Sequence, residues 1–392
     1  MNYFRVYLGC GLLAALPARA VYAPIPEQEQ PNDLAFNFTL GVSHDSNIFG
    51  GATGALASTV WHFSPKVAYN HSLAGATTFV SLSYQLALDR FDNRPGEKNL
   101  DSHTASARLA HQFSPTSTID IVEMYQSARN PESLLNGIPL NADQSFQRNE
   151  LDGNFTASIG PKIGTTLKAR TVYFDYRNSV LARSLNRFEN LYGLSGDYAV
   201  LPETKVVAEY RHQDVFYDKL GETKNKRSDF VMGGADYAVA KEFTTSGRLG
   251  VEFRHRSGAG STTAPYAEFS GKYDYADGSF LTGGYTYTID EPSDTARFTD
   301  SKVNRFFVNA QHTLMPLLVA SASLTYDSAI LQGRRPLLNV AEDTTRAGVA
   351  LSYLPTKHWT LSASYDNDHV NSDDASRRLD RQRFGFNAGY AF

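Results

Sequence analysis

The sequence predicts an all-β fold: a closed antiparallel transmembrane β-barrel of about 18 strands, with short turns at one end and longer loops at the other. Three observations predict it. Long stretches alternate apolar and polar residues with a period of two, as a strand with one greasy face must. One unit, strand, short turn, strand, longer polar loop, recurs with a spacing of about 40 residues, the length of two membrane strands and their connections. Beyond the first twenty residues no stretch reaches the roughly 18 apolar residues a membrane helix needs, so a membrane could be crossed only by strands.

Taken in order, Asn2 to Ala20 carries one charge, Arg5, then the apolar run Val6 to Leu16, then Ala18-Arg19-Ala20. That is the pattern of a secretory signal peptide, residues 1–20, with an A-x-A cleavage site. The single cysteine, Cys10, lies inside it. Too little apolar sequence precedes Cys10 for a lipoprotein signal, and the expected mature chain from Val21 has no disulfide. Residues 21–33, VYAPIPEQEQPND, are rich in Pro, Glu and Gln and predict an extended tail.

The barrel is expected over residues 34–392. Its first strand alternates Leu34, Phe36, Phe38, Leu40 and Val42 with Asn37, Thr39, Gly41 and Ser43. Short turns are expected at 70–75, 114–117, 160–164, 199–203, 238–242, 276–279, 315–317 and 354–358. Several pair an aromatic with Pro, Gly or Asp, as in FSPTS, YADGS and YLPTK. Longer polar loops are expected at 50–56, 92–101, 130–148, 177–186, 217–227, 256–263, 290–301, 331–343 and 367–380. The loop 130–148 carries Leu134, Leu135, Ile138 and Leu140, which an exposed loop does not need. It either folds into the lumen or packs on neighbouring loops. Tyr69, Phe113, Tyr198, Tyr237, Tyr275, Tyr353 and Tyr390 fall near the short turns, where an aromatic girdle belongs. The final stretch, RQRFGFNAGYAF, sets Phe384, Phe386, Ala388, Tyr390 and Phe392 on one face. It is the strand expected to close on the first, with Tyr390 and Phe392 as an assembly signal.

Alternation also fixes register, because a cation on the lipid face at mid-membrane costs about 2–4 kcal/mol. The charged residues expected to line the lumen are Arg108, Asp152, Lys168, Arg170, Lys205, Glu209, Arg211, Arg248, Glu252, Arg254, Glu268, Lys272, Arg305, Arg346 and Arg383. Cations outnumber acids among them, a weak signal for anionic solutes. In 119–125 the rule fails: Glu123 shares a face with Ile119, Ile121 and Tyr125, which either a bulge or a position near the membrane interface would resolve.

The opening GVSHDSNIF (41–49), the hairpin period and the terminal FGFNAGYAF (384–392) resemble the β-barrel porin 2 family of Gram-negative outer-membrane proteins. Many of its members accompany exopolysaccharide export systems. The resemblance covers nearly the whole expected mature chain. It implies a pore of about this strand number and a role in polymer passage, and it supplies no catalytic residues.

The net charge of −4 gives no sign of nucleic-acid binding. Asp366, Asp368, Asp373, Asp374 and His369 cluster near the end, but a solvated acidic loop explains them better than a calcium site. No histidine has metal-ligand spacing, so no metal and no cofactor are expected. No GxSxG element occurs, and His111, His212 and His312 pair with no identifiable serine, so an enzyme is not expected. The leading expectation is an outer-membrane channel for passage or export of polysaccharide. A general porin for small polar solutes comes second, and a structural or adhesive barrel with a blocked lumen third. Expected partners are outer-membrane lipids and lipopolysaccharide, the barrel assembly machinery and a periplasmic polysaccharide-export protein.

Overall fold

Each alternating segment becomes a strand, because aromatic and β-branched residues on one side and small polar residues on the other suit a pleated sheet with two different faces. The computed structural model describes residues 33–72, 77–128, 145–292 and 294–392. The expected signal peptide, nearly all of the tail and most of the apolar loop 130–148 lie outside the described residues. The strands are β1 (Asp33–Asp45), β2 (Ser58–Ser72), β3 (Thr78–Phe91), β4 (Asn99–Ser114), β5 (Ser117–Ala128) and β6 (Phe146–Ile159). Next come β7 (Ile163–Tyr176), β8 (Arg187–Leu201), β9 (Thr204–Tyr217), β10 (Lys226–Ala240), β11 (Phe243–Arg256) and β12 (Gly260–Ala276). The last six are β13 (Ser279–Asp290), β14 (Phe298–Met315), β15 (Leu318–Gly333), β16 (Val340–Tyr353), β17 (Trp359–Ser372) and β18 (Leu379–Ala391).

All neighbours pair antiparallel, and β1 pairs with both β2 and β18, so the 18-stranded sheet closes on itself. Closure satisfies every edge, which an open sheet in hydrocarbon could not do. At the seam Phe38 faces Tyr390 and Val42 faces Phe386. The Phe392 amide donates to the Phe36 carbonyl at 2.9 Å, and its ring meets that of Phe38 edge-on, centroids 5.7 Å apart.

The short turns fall where the alternation ends. The long-loop end differs from expectation. Strands run 12 to 18 residues, more than the roughly 9–11 needed to cross a bilayer. The expected loop 256–263 shrinks to 257–259, since β12 begins at Gly260. Likewise β4 begins at Asn99 and β17 continues to Ser372. Polar composition there marks strand extensions rather than an end of pairing, because the ladder needs only backbone groups.

Among the described residues two short helices interrupt the loops, α1 (Ser179–Leu185) and α2 (Gly221–Lys224). A 3-10 turn spans Ala375–Arg377. Asn178 caps α1, its side chain accepting from the amides of Val180 and Leu181.

The two faces differ as the alternation requires. Outward side chains include Leu249, Phe253, Phe269 and Phe306, each 44–57% exposed. Tyr69, Phe113, Tyr198, Tyr237, Tyr275 and Tyr353 are also exposed on this face near the short turns. Glu123 faces outward too, opposite Leu151 and Ala107, and accepts from Asn149 Nδ2 at 3.1 Å. There is no bulge in β5 that turns it inward. Six residues into each strand leaving a short turn stand Tyr84, Glu123, Ala169, Tyr210, Leu249, Tyr285, Leu324 and Tyr365. Glu123 is the one charge in that ring.

Candidate functional site

The inner face carries the chemistry, and the contacts themselves identify which face is inner. Arg256 Nε donates to Asp300 at 3.2 Å, from β11 to β14. Arg211 Nη1 donates to the Tyr266 hydroxyl at 3.1 Å, from β9 to β12. Lys168 Nζ reaches Glu209 at 3.3 Å, from β7 to β9. Strands three apart lie about 14 Å apart along the wall, so their side chains meet only where they converge on the concave side. Outward polar contacts are shorter in reach: His212 meets Asp229 at 2.7 Å on the adjacent strand, and Tyr275 near a short turn reaches His312 two strands away at 3.0 Å.

All fifteen sequence-derived charges share this inner face. Arg108 pairs with Asp120 and Arg170 with Asp152. Glu209 joins Lys168 to Arg211. Lys205 pairs with Asp197, Arg248 with Asp236 and Lys272 with Asp274. Glu252 accepts from Ser228, Glu268 accepts from the Tyr266 hydroxyl, and Arg254 lies 3.0 Å from Asp300. Arg305 grips Asp327 with two nitrogens at 2.8 and 3.0 Å. Arg346 stands opposite Asp368, which also pairs with Arg383. Gly234 makes room for one of these groups: the Arg248 stem passes 2.9 Å from where a Cβ would sit.

Sequence reasoning missed most of the acids. Asp45, Asp120, Glu150, Asp327, Glu342 and Asp368 all face inward, with Asp45 and Arg381 forming a buried pair between β1 and β18. The excess of cations expected from sequence is therefore corrected: the cations named above face carboxylates. The signal was available, since Asp327 and Asp368 keep the parity of the polar residues around them.

The acidic cluster near the end is dispersed. Asp366 and Asp368 point inward, His369 points outward to Asp380, and Asp374 caps the 3-10 turn. Among the described residues no group of acids and histidines is arranged to hold a metal ion.

The long-loop end is partly roofed. Helix α1 turns inward because Leu181 and Leu185 bury against Ala128, Phe146 and Tyr176. On another part of the rim Ile48 buries against Val60, Phe91 and Leu100. Ser184 of the β7–β8 loop accepts at its carbonyl from Lys224 Nζ and Thr295 Oγ1, both at 3.0 Å. Arg334 Nε donates to the Thr295 carbonyl at 2.9 Å, and Arg297 Nη1 donates to Asp374 at 2.7 Å. Five loops, from β7–β8 round to β17–β18, are thus tied in one chain. Arg256, Lys226 and the Tyr217 hydroxyl all hold Glu291 at the base of the β13–β14 loop, at 2.6, 3.1 and 2.7 Å. Burial opposes the Glu291 charge, but Lys226 and Arg256 outweigh it and hold the carboxyl well below the usual range.

A hollow of about 1300 Å³ near the seam is lined chiefly by outward side chains such as Leu40, Trp61, Phe63, Leu351 and Phe386. It belongs to the apolar exterior.

No family model matches the chain, and no curated protein matches it. Solved structures do. A BenF-like porin from Pseudomonas fluorescens Pf-5 superposes with TM-score 0.50 at 12% identity, over 92% of this chain and 99% of that one. OccAB2 of Acinetobacter baumannii gives 0.48 at 12%, over 92% and 97%. OpdK of Pseudomonas aeruginosa, solved with vanillate, gives 0.47 at 13%, over 92% and 98%. At such identities the likeness is one of fold, a closed barrel.

Proposed function

We propose that this chain is an integral outer-membrane channel for small polar solutes. The observation that carries the reading is the inner face: paired charges spanning two and three strands line the inside of a closed 18-stranded barrel, while large apolar side chains cover its outside. So many ionised groups stay charged only beside water or one another, and a barrel of this strand number is wide enough to hold water. The apolar band with aromatics near the short turns suits a bilayer, and in a Gram-negative cell a barrel of this kind belongs in the outer membrane. The fold likeness to a BenF-like porin supports a pore.

The tied loops favour small solutes over a polymer. A polysaccharide chain needs a continuous opening at the mouth. Here loops of β7–β8, β9–β10, β13–β14, β15–β16 and β17–β18 bond to one another over part of it. On the inner wall Ser43 Oγ lies 2.7 Å from His62 Nε2, and His62 Nδ1 lies 2.6 Å from Asp89; the reading takes this row across β1, β2 and β3 as part of the polar lining and assigns no catalytic residue.

The experiment is single-channel recording in a planar bilayer. The reading expects stepwise ion conductance from purified, folded protein. A barrel that folds and inserts yet passes no current would overturn it in favour of a blocked structural barrel.

A further inference from the structure

We infer that the channel favours uncharged, polyhydroxylated solutes of monosaccharide size over similar solutes with net charge. The inference rests on the channel reading above and adds the solute class.

The first observation is the pairing of the inner charges. Bases and acids alternate within each island of the wall rather than separating onto opposite sides. Arg305 has both oxygens of Asp327 in reach, at 2.8 and 3.0 Å, and Asp290 at 3.4 Å. Arg211 lies between Glu209 and Glu268, at 2.8 and 3.7 Å. An anion passing such a wall finds a cation already held by its own carboxylate, and a cation finds the reverse. Each would give up water without gaining a partner unless it broke an existing pair, which leaves a charge uncompensated.

The second observation is the chemistry between the islands. From β15 through the seam to β4, the inner wall also presents hydroxyls and amides between its paired charges. Ser323, Ser364, Asn387, Thr39, Gln85 and Ser106 each face inward, on β15, β17, β18, β1, β3 and β4. Some already bond across strands: Gln85 Nε2 donates to Ser64 Oγ at 2.8 Å, and the Ser83 and Ser106 hydroxyls lie 2.8 Å apart. Such groups both donate and accept. A sugar ring does the same, so it exchanges hydrogen bonds with water for hydrogen bonds with the wall at little net cost. A carboxylate only accepts and an ammonium only donates, and neither matches this surface better than water does.

The test uses the purified full barrel in two preparations. In a planar bilayer under a KCl gradient, the reversal potential is expected near zero. In liposome swelling, glucose is expected to enter several-fold faster than gluconate and than glucosamine. Strong anion or cation selectivity, or gluconate or glucosamine entering as fast as glucose, would overturn the inference. A third arm tests the cause. Asp327→Asn removes the acid that grips Arg305, and the reversal potential is expected to shift toward anion selectivity while the barrel still conducts. A conducting variant with an unchanged reversal potential would show that pairing does not set the balance, and the inference would fall. A barrel that conducts KCl but does not discriminate among the three solutes defeats this inference alone. Absence of any conductance defeats the channel reading with it.

Discussion

Removing Asp45 should weaken the barrel at its seam. Asp45 ends β1, is 3% exposed, and takes two bonds of 3.1 Å from Arg381 Nε as well as one from Nη2. It also accepts from the Asn47 amide at 2.9 Å. In Asp45→Ala the Arg381 guanidinium, itself 3% exposed, loses the carboxylate that its Nε and Nη2 grip, while Asp368 still stands opposite it on β17. Breaking a buried pair by deleting one partner costs about 3–5 kcal/mol, chiefly because the surviving charge is stranded. Replacing both by apolar groups of similar size costs far less. The assay is unfolding by denaturant in lipid vesicles, followed by the gel shift that separates folded from unfolded barrel. Asp45→Ala should lower stability by about 3 kcal/mol or more, and Asp45→Leu/Arg381→Met should recover over half of it. A loss under about 1 kcal/mol, or a double variant no more stable than the single one, would refute the reasoning.

Three further outcomes are expected. Glu123→Leu should raise the unfolding midpoint in vesicles, by about 1 kcal/mol or more, since it removes a charge from a face set in hydrocarbon; a lower midpoint would mean that the bond from Asn149 matters more than the membrane does. The Asp374 carboxyl is held down to about 2 by the Ser376 hydroxyl, with burial opposing and Arg297 and the Ser376 amide assisting. Its folded value lies below the ordinary carboxylate value of about 3.9, so the tie to Arg297 is fully present above that value and is lost as pH falls through about 2. Channel noise should therefore be flat from pH 7 to about 4 and rise below it, and Asp374→Asn should be noisy throughout; a wild-type change centred near pH 6 would contradict this. Deleting Phe392, whose amide and ring both hold β1, should reduce folded protein in the outer membrane much more than Leu338→Ala at an 85% exposed loop position does, and equal levels would speak against a role in closure.

The strand count and the short turns were legible because both follow from local rules. A period of two can be read within one strand, and YADGS or FSPTS ends a strand wherever it falls. The long-loop end was less legible. Arg256 and the residues after it look like loop because they are polar, yet β12 resumes at Gly260, since the ladder extends past the apolar band into water. Helix α1 was overlooked although Asn178 followed by Val180, Leu181 and Leu185 is a capped amphipathic turn; which way it folds depends on Phe146 and Tyr176, distant in sequence. The fifteen inward charges could be named from parity, but their partners could not. That Arg211 meets Tyr266 and Glu268, and Arg256 meets Asp300, follows from the curvature of the closed wall, which no single strand records.

The central claim is a water-filled, solute-conducting interior behind an apolar wall, and adjacent residues of β15 test it most directly. Ser323 faces inward, half-buried, and Leu324 faces outward, 45% exposed. The only native cysteine is Cys10. After Ser323→Cys, a small hydrophilic thiol reagent should react in the inserted barrel and step the single-channel conductance down. After Leu324→Cys, the same reagent should leave conductance unchanged. Modification at 324 that alters current, or an inert 323 in a conducting barrel, would contradict the account.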